Sequence, residues 1–234
     1  MTKTLIFTAT YNEKNNIKLL IKKINKLKCT IDILVVDDNS PDGTGKELLV
    51  YKKKIKNLKV IIRNGKQGLD TAHKLGFNYA KKNKYSNFIT LDADLSHDTK
   101  EIPKMINVLK EKPFVIGSRY MPGGKCNMSL PRLALSILGN KFIKIMLNIK
   151  CHEFTTSYRG FNLEKLKNFN LNNVEAKGYS FFMETIYLLN KNIIEIHEIP
   201  INFKNRTQGK SKIPSLEIFR TLIRVFSLFL IKLK

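Results

Sequence analysis

The sequence predicts an α/β fold with a mostly parallel β-sheet flanked by helices, and two observations support this prediction. Short apolar segments alternate with helical segments through the first half of the chain, and polar clusters follow four of the apolar segments. Such alternation is typical of βαβ units, whose strands run parallel beneath their helices. Ligands of these sheets bind beyond the carboxyl ends of the strands. We therefore expect the polar clusters to meet there.

Short runs of β-branched and aromatic residues predict the strands of the first half, at 4–10, 31–38, 58–63, 88–94 and 114–119. Helices are predicted between them at 12–28, about 44–55, about 70–82 and 101–111. The apolar residues of the first helix recur at helical spacing, at Ile17, Leu20, Ile21, Ile24 and Leu27.

Beyond residue 125 the alternation stops. An apolar segment at 129–149 predicts one helix or a helix pair, 193–203 resembles a strand, and 204–212 is a basic loop. The segment 215–234 is apolar, and four charged residues interrupt its apolar run, at Glu217, Arg220, Arg224 and Lys232. This amphipathic pattern favours either a membrane interface or a helix packed on the core or on a partner. No run approaches the ~18–20 apolar residues of a membrane-spanning helix.

The composition leaves three explanations for the positive charge. The chain has 234 residues, 43% of them hydrophobic, and a net charge of +23 from 42 Lys and Arg against 19 Asp and Glu. Nucleic acid, an anionic membrane surface or phosphorylated substrate, and compositional bias toward Lys each fit this excess. Much of the Lys is spread along helices, which is typical of a solvated face.

The three cysteines are far apart, at Cys29, Cys126 and Cys151. Their spacing predicts no zinc site, and an odd number argues against a disulfide framework. A reduced, cytosolic environment is the simplest interpretation of this pattern.

The segment "LDADLSHD" (91–98) ends a predicted strand with Asp92 and Asp94 separated by one residue. Both carboxylates can face one pocket, where a divalent cation would relieve their repulsion. Hard oxygen ligands suit Mg²⁺ or Mn²⁺. By itself the D-x-D pattern is weak evidence for a metal site, since acids at strand ends commonly cap a helix or face solvent. Asp98 is expected to cap the next helix.

Basic residues in short polar motifs supply the opposite charge. They are Arg119, Arg132, Arg159, Arg206, Lys210 and Lys212. Because Arg is scarce in this Lys-rich chain, composition explains Arg in loops less readily. Guanidinium groups bind phosphate oxygens in a bidentate geometry. Acids with a cation on one side and Arg and Lys on the other predict a site for an anionic ligand such as a diphosphate.

Six motifs in order along the chain resemble the family-2 glycosyltransferases of the GT-A (Rossmann-like) fold, and more narrowly the dolichol-phosphate mannose synthases and their bacterial polyprenyl-phosphate relatives. The motifs are "TATYNE" (8–13), "VVDDNSPDGTG" (35–45), "GKQGLDTAHKLGF" (65–77), "LDADLSHD" (91–98), "GSRY" (117–120) and "NRTQGKSK" (205–212). The resemblance implies inverting, metal-dependent transfer of mannose from GDP-mannose to dolichyl or polyprenyl phosphate. A related transferase using UDP-glucose or UDP-N-acetylglucosamine, onto polyprenyl phosphate or a glycan hydroxyl, is the alternative.

The resemblance also implies roles for the matching positions. The nucleotide-sugar residues are Ala9, Tyr11, Glu13, Val36, Asp38, Asp92, Ala93, Asp94, Arg206 and Lys212. The acceptor-phosphate residues are Arg119, Arg132 and Ser136. The metal ligands are Asp94 and Ser96, and the catalytic set is Asp92, Asp94, Arg119 and Arg206. A phosphate acceptor is already an anion at neutral pH, so Asp92 is expected to contact the donor sugar or metal rather than to act as a base.

The chain departs from the family pattern at four places. Ala9 replaces a proline, and "GLDTAH" introduces Asp70 and His73. The segment "TTSYR" (155–159) lacks the usual glycine, and Glu153 stands where Asp is common. We expect His73 to be a packing or surface histidine rather than a catalytic one.

The resemblance and the segment pattern together predict the organisation of the chain. Residues 1–214 form the GT-A catalytic domain, with a nucleotide-sugar half (1–125) and an acceptor half (126–214). Residues 215–234 form an amphipathic tail at the membrane interface. Helix 129–149 is expected to cradle the isoprenoid chain.

The expected location is peripheral, on the cytoplasmic face of a membrane. The expected partners are the nucleotide sugar, the lipid phosphate, the membrane surface and a small membrane-anchoring subunit. Two other classes fit less well. A nucleic-acid-binding module would explain the net charge but neither the D-x-D pattern nor the clusters at strand ends, and the basic runs lack interleaved aromatic residues. An inactive nucleotide-sugar-binding subunit is disfavoured because the metal and phosphate positions are filled.

Overall fold

The computed structural model describes residues 3–204 and 217–233. Its strands are β1 Thr4–Thr10, β2 Ile31–Asp37, β3 Leu58–Ile62, β4 Asn87–Thr90, β5 Phe114–Ser118, β6 Lys125–Cys126, β7 Arg159–Asn162, β8 Ile196–Pro200 and β9 Asn202–Phe203. Seven of them form one sheet in the order β3-β2-β1-β4-β7-β5-β8, and β6 pairs with β9. Within the large sheet β7 runs antiparallel to both of its neighbours, and the other pairs are parallel. The predicted α/β class with a mostly parallel sheet is confirmed.

The helices pack on both faces of this sheet. They are α1 Lys14–Asn25, α2 Thr44–Lys54, α3 Leu69–Lys82, α4 Ile102–Glu111, α5 Leu130–Leu147, α6 Ser180–Lys191 and α7 Glu217–Leu233. The apolar residues of α1, α2 and α4 form one buried cluster with the sheet, and those of α3, α5, α6 and α7 form the other. Among the helices that the structure describes, none is long and apolar enough to cross a bilayer.

The predicted elements of the first half are present, with some shifted ends. β4 ends at Thr90 instead of 94, because the chain turns at the D-x-D segment and Leu95 adopts a left-handed φ of 66°. The segment 129–149 forms the single helix α5, and 193–203 forms the two strands β8 and β9.

Strand β7 was not predicted, because its four residues, "RGFN", show no apolar alternation. Gly160 sits where a Cβ would lie 2.8 Å from Val115 and 2.9 Å from Leu109, so the close packing of β5 and α4 requires glycine here. In the ladder, Arg159 lies opposite Thr90 of β4 and opposite Ile116 of β5. The start of β7 therefore lies at the edge of the sheet where β4 and β5 end.

Helix α7 is part of the fold as well as an amphipathic segment. Val225 and Leu228 are buried in the core cluster of α5 and α6. Glu184 of α6, 1% exposed, accepts hydrogen bonds from Arg224 at 2.7 Å through both carboxylate oxygens. The outward face of α7 remains apolar and exposed, as Phe219 illustrates at 63%. One side of this helix thus packs on the core, and the other is uncovered.

Replacement of Gly76 in α3 tests the packing of helix on sheet. A Cβ at Gly76 would overlap the Phe7 ring of β1, whereas one at Gly139 in α5 meets nothing within 4 Å. We expect Gly76→Ala to lower the free energy of unfolding by about 1–3 kcal/mol. The control Gly139→Ala should raise it by up to about 1 kcal/mol, through helix propensity. Urea unfolding measures both, and a Gly76→Ala protein as stable as the wild type would contradict this packing.

Candidate active site

The first two strand-end loops are bound to each other through polar groups. Thr10 Oγ1 donates a hydrogen bond to Asp37 Oδ1 at 2.7 Å. The backbone N–H of Glu13 donates to Thr44 Oγ1 at 3.0 Å. The segment after β1 and the segment after β2 therefore form one rigid wall at the carboxyl edge of the sheet.

Tyr11 and Glu13 lie in this wall, and the predicted residues Ala9 and Val36 lie in β1 and β2, directly before it. Ala9 is half-buried and is the ladder partner of Val36, whose side chain is fully buried in the core. The half-buried Tyr11 ring has Lys66 Nζ 4.8 Å from its centroid, and Glu13 is also half-buried. Four of these residues were predicted; Lys66, from the loop after β3, adds a cation that the sequence analysis had not assigned.

Asp38 is held in an internal ion pair that the sequence analysis missed. Its carboxylate contacts the Arg63 guanidinium, and its Oδ2 accepts the backbone N–H of Gln67 at 3.1 Å. Arg63 also donates to Thr71 Oγ1 at 2.6 Å and to the Gly68 carbonyl at 2.9 Å. Asp38 thus secures the loop after β3. The scarcity of Arg, which drew attention to the other loop arginines, could have identified Arg63 as well.

The D-x-D segment emerges from β4 with its two acids in different surroundings. Asp94 is 4% exposed, and its Oδ1 accepts the backbone N–H of Ser96 at 3.0 Å. The Asp92 side chain is 38% exposed. Ala93 between them is buried at 4% exposure. The Asp94 carboxylate is therefore buried within the loop, whereas the Asp92 carboxylate is partly exposed.

Asp92 is restrained by Ser157 of the loop 151–158 and by His97 of its own segment. Ser157 Oγ donates to Asp92 Oδ1 at 2.6 Å, whereas a glycine, as the family pattern has, carries no hydroxyl for this bond. The backbone N–H of Asp92 donates to His97 Nδ1 at 3.1 Å, and His97 Nε2 lies 3.2 Å from Thr156 Oγ1. Burial lowers the pKa of His97, so a neutral ring accepts from Asp92 and donates to Thr156.

The oxygen donors here fit a hard divalent cation. Ser96 Oγ is fully buried and has no hydrogen-bond partner among residues 3–204 and 217–233, while the backbone N–H of the same residue binds the Asp94 carboxylate. No cluster of three His, Cys, Asp or Glu side chains that could hold a metal occurs within residues 3–204 and 217–233. Mg²⁺ typically binds through one or two carboxylates and completes its shell with substrate phosphates and water. Asp94 and Ser96 match such a partial site.

Arg119, which follows the last residue of β5, is fixed by the buried Glu153. Arg119 Nε donates to Glu153 Oε2 at 2.6 Å, and its Nη2 donates to Glu153 Oε1 and to Thr155 Oγ1, both at 2.8 Å. Burial opposes the ionisation of Glu153, but the guanidinium and hydrogen bonds from Thr155 hold the pKa of its carboxyl below its usual range. Arg119 therefore stays charged and is held in one orientation. Glu153 supplies the carboxylate expected where Asp is common.

The other two predicted acceptor residues lie one turn apart on α5. Arg132 is exposed in the first turn, and the half-buried Ser136 accepts a hydrogen bond from the Tyr120 hydroxyl at 2.6 Å. Burial raises the pKa of the Cys126 thiol, while the charges of Arg119 and Arg132 oppose that rise. Tyr120 directly follows Arg119, so its hydrogen bond to Ser136 joins α5 to the end of β5, next to the first of the three predicted acceptor residues.

Other predicted residues have different outcomes. Arg206, Lys210 and Lys212 lie outside the described residues. Arg159 is 2% exposed and donates to the backbone carbonyls of the loop 151–158, so it supports the loop instead of reaching a ligand. His73 packs among Phe7, Phe181 and Phe182, and burial lowers its pKa to about 3.

The prediction for Asp98 as a cap is confirmed. Its Oδ1 accepts the backbone N–H of Lys100 at 3.1 Å, at the start of the 3₁₀ turn Thr99–Glu101. Its Oδ2 accepts from Lys204 Nζ at 3.0 Å.

Replacement of Glu153 tests the buried ion pair. Glu153→Gln should lower the free energy of unfolding at pH 7 by about 3–5 kcal/mol, because it leaves Arg119 buried without a counter-charge. In the wild type the ion pair of Glu153 and Arg119 contributes its full stabilisation above pH 4.5, the ordinary pKa of a glutamate. This stabilisation is lost as the pH falls through the lowered pKa of Glu153 in the folded protein. Urea unfolding from pH 3 to 7 measures both effects.

The exposed pair of Lys112 and Glu195 provides the control for this experiment. Glu195→Gln should not change stability measurably, because exposed ion pairs contribute little. Equal stabilities of the Glu153→Gln and Glu195→Gln proteins would contradict the role given to Glu153.

Comparison with known proteins identifies the family. The model of the glycosyl transferase family 2 matches residues 5–169. The polyprenol monophosphomannose synthase of Mycolicibacterium smegmatis is 33% identical over 228 residues, covering 95% of this chain and 85% of that protein. The undecaprenyl-phosphate mannosyltransferase of Micrococcus luteus is 32% identical over 211 residues, covering 90% and 87%.

Solved structures share the fold at lower identity. Glucosyl-3-phosphoglycerate synthase from Mycobacterium tuberculosis, in complex with Mn²⁺, UDP and glucosyl-3-phosphoglycerate, superposes with a TM-score of 0.66 at 14% identity, covering 97% of this chain and 79% of that one. A mannosyltransferase from Pyrobaculum calidifontis in complex with GDP-Man and Mn²⁺ gives 0.56 at 15% identity, covering 97% and 69%. These neighbours are GT-A glycosyltransferases. The chain is therefore a glycosyltransferase that belongs to family 2, with a GT-A-like fold.

Proposed function

We propose that this protein transfers mannose from GDP-mannose to the phosphate of a polyprenyl or dolichyl lipid, with inversion and with Mg²⁺ or Mn²⁺. One observation carries the proposal: the loop 151–158 contacts both the acidic D-x-D segment, through Ser157, and the basic residue Arg119, through Glu153. A donor diphosphate with its cation and an anionic acceptor need these two kinds of group side by side.

The relatives support the choice of sugar and acceptor. The two curated relatives above are named for mannose transfer to polyprenol or undecaprenyl phosphate, and this chain covers more than four fifths of each. The Pyrobaculum neighbour was solved with GDP-Man and Mn²⁺, which supports the donor and the metal. For the donor side we propose Ala9, Tyr11, Glu13, Val36, Asp38, Asp92, Ala93 and Asp94, with Arg206 and Lys212.

The proposed reaction does not require a dedicated base. A hydroxyl nucleophile would need a carboxylate to remove its proton, but a phosphate monoester is already an anion at neutral pH. The chain must instead hold two anions together and orient the attacking oxygen. Arg119 performs this task with a fixed charge, and Arg132 and Ser136 approach the same phosphate from α5.

The acids hold the donor side of the reaction. Asp94 and Ser96 would hold the cation, which, when bound, neutralises the charge that develops on the leaving diphosphate. Asp92 contacts the donor sugar or that cation. The wall formed after β1 and β2 holds the nucleoside and keeps the diphosphate at the strand ends.

A membrane surface would deliver the lipid acceptor, and the exposed apolar residues of α5 and α7 suit contact with one. On α7 they include Phe219, Ile223 and Phe226, at 63%, 70% and 54% exposure, spaced along one face of the helix. Leu138 and Ile145 of α5 are 64% and 76% exposed. We propose peripheral attachment through this apolar face, on the cytoplasmic side. A small membrane-anchoring subunit stays a prediction.

Asp94→Ala tests the proposed chemistry. Loss of the carboxylate should abolish mannose transfer, a fall of about 10³-fold or more, because the cation and the diphosphate lose their fixed partner. Thermal unfolding should show a folded protein. The control Asp98→Asn alters a cap in the same segment and should retain transfer. Metal-independent transfer by the Asp94→Ala protein would contradict the proposal.

Polar substitutions on α7 test the proposed membrane contact. The triple variant Phe219→Ser, Ile223→Ser, Phe226→Ser should bind anionic liposomes about 10-fold more weakly, because it removes apolar area from the outward face only. Liposome flotation measures the difference. Deleting residues 215–234 would test this less cleanly, since it would also remove core residues such as Val225.

The matched control replaces two exposed apolar residues elsewhere on the protein. Leu49 and Val50 of α2 are 46% and 49% exposed, and their replacement by serine should leave flotation unchanged. Equal binding of the triple variant and the wild type would exclude this face of α7 as the attachment surface.

A further inference from the structure

We propose that Ser157 is a positioning residue for the transfer reaction, because its hydroxyl holds the Asp92 carboxylate in the orientation that receives the donor. The inference rests on the proposed function, which places Asp92 on the donor side of the site. Ser157 acts only through Asp92 and is not itself assigned a contact with the reacting atoms.

The contact between the two side chains is short and charge-assisted. Ser157 Oγ donates to Asp92 Oδ1 at 2.6 Å, and Ser157 is 3% exposed. The Asp92 side chain is 38% exposed and lies on a loop. An aspartate in such a place can adopt several rotamers of similar energy. Because the Ser157 hydroxyl is itself fixed, it favours the one Asp92 rotamer whose carboxylate can accept its hydrogen bond.

The sheet fixes Ser157 in turn. Thr90, the last residue of β4, donates its hydroxyl to the Ser157 carbonyl. The next residue, Tyr158, is fully buried, and its hydroxyl donates to the Asp98 carbonyl at 2.9 Å. Arg159 then begins β7 as a ladder partner of Thr90. Ser157 is therefore tied to the end of β4 and lies immediately before the strand that begins at Arg159.

The two acids of the D-x-D segment depend on different supports. The Asp92 backbone is held by His97 of its own segment, which in turn contacts Thr156, whereas the Asp92 carboxylate is held by Ser157 of the loop 151–158. The Asp94 carboxylate accepts from the backbone of Ser96, within its own loop. Loss of the Ser157 hydroxyl should thus loosen Asp92 and leave Asp94 in place. This separation makes the role of Ser157 testable.

The test compares Ser157→Ala with Ser86→Ala. Ser86 is also buried, at 8% exposure, and lies at the opposite end of β4. Calorimetric titration with GDP-mannose and Mn²⁺ should give a dissociation constant about 10-fold higher for Ser157→Ala, the lower end of the usual cost of losing a residue that orients a ligand-binding group. The same variant should show a lower kcat and an unchanged Tm. Ser86→Ala should bind as the wild type does.

A double-mutant cycle shows whether Ser157 acts through Asp92. In an Asp92→Ala background, Ser157→Ala should cause no further loss of GDP-mannose affinity. Wild-type affinity of the Ser157→Ala protein, or an equal loss with and without Asp92, would overturn the inference. The binding readout needs no acceptor. Absence of mannose transfer to polyprenyl phosphate by the wild type would therefore contradict the proposed function alone.

Discussion

The antiparallel insertion of β7 between β4 and β5 is the constraint on which the site depends. If β7 ran parallel to β4 and β5, its first residue would lie at the opposite edge of the sheet. Because Arg159 lies opposite both Thr90 and Ile116, the loop before it reaches the carboxyl edge, where the ligands of α/β sheets bind. Gly160 permits this close approach, since a Cβ there would overlap Val115 and Leu109.

That loop connects the acidic and the basic side of the site. Glu153 fixes Arg119 with two charge-assisted hydrogen bonds, and Ser157 fixes Asp92 with one. Fixed charges of opposite sign within one rigid edge need little reorganisation when anions bind, which is the main electrostatic contribution to catalysis. The acids of the site are thus a minority charge in a chain of net charge +23, placed where a bound cation would neutralise them.

The sequence predicted the parts of the molecule that depend on local patterns. β1 to β5 follow from runs of β-branched residues, and the D-x-D segment and Arg119 follow from polar motifs at strand ends. β7 could not be predicted, because four residues with one large apolar side chain carry no periodicity. The bond between Glu153 and Arg119 spans 34 residues, so only the fold reveals it. Arg63 was predictable from the scarcity of arginine in the chain.

We propose that Arg119, Arg132 and the D-x-D segment together join a sugar to a lipid phosphate. The most direct measurement incubates the protein with a short polyprenyl phosphate, Mn²⁺ and an equimolar mixture of GDP-mannose, UDP-glucose and UDP-N-acetylglucosamine, and identifies the glycolipid by mass spectrometry. We expect one product, a polyprenyl phosphate carrying a single hexose, which disappears when GDP-mannose is omitted. A product that persists without GDP-mannose, or transfer only to an added glycan hydroxyl, would contradict it.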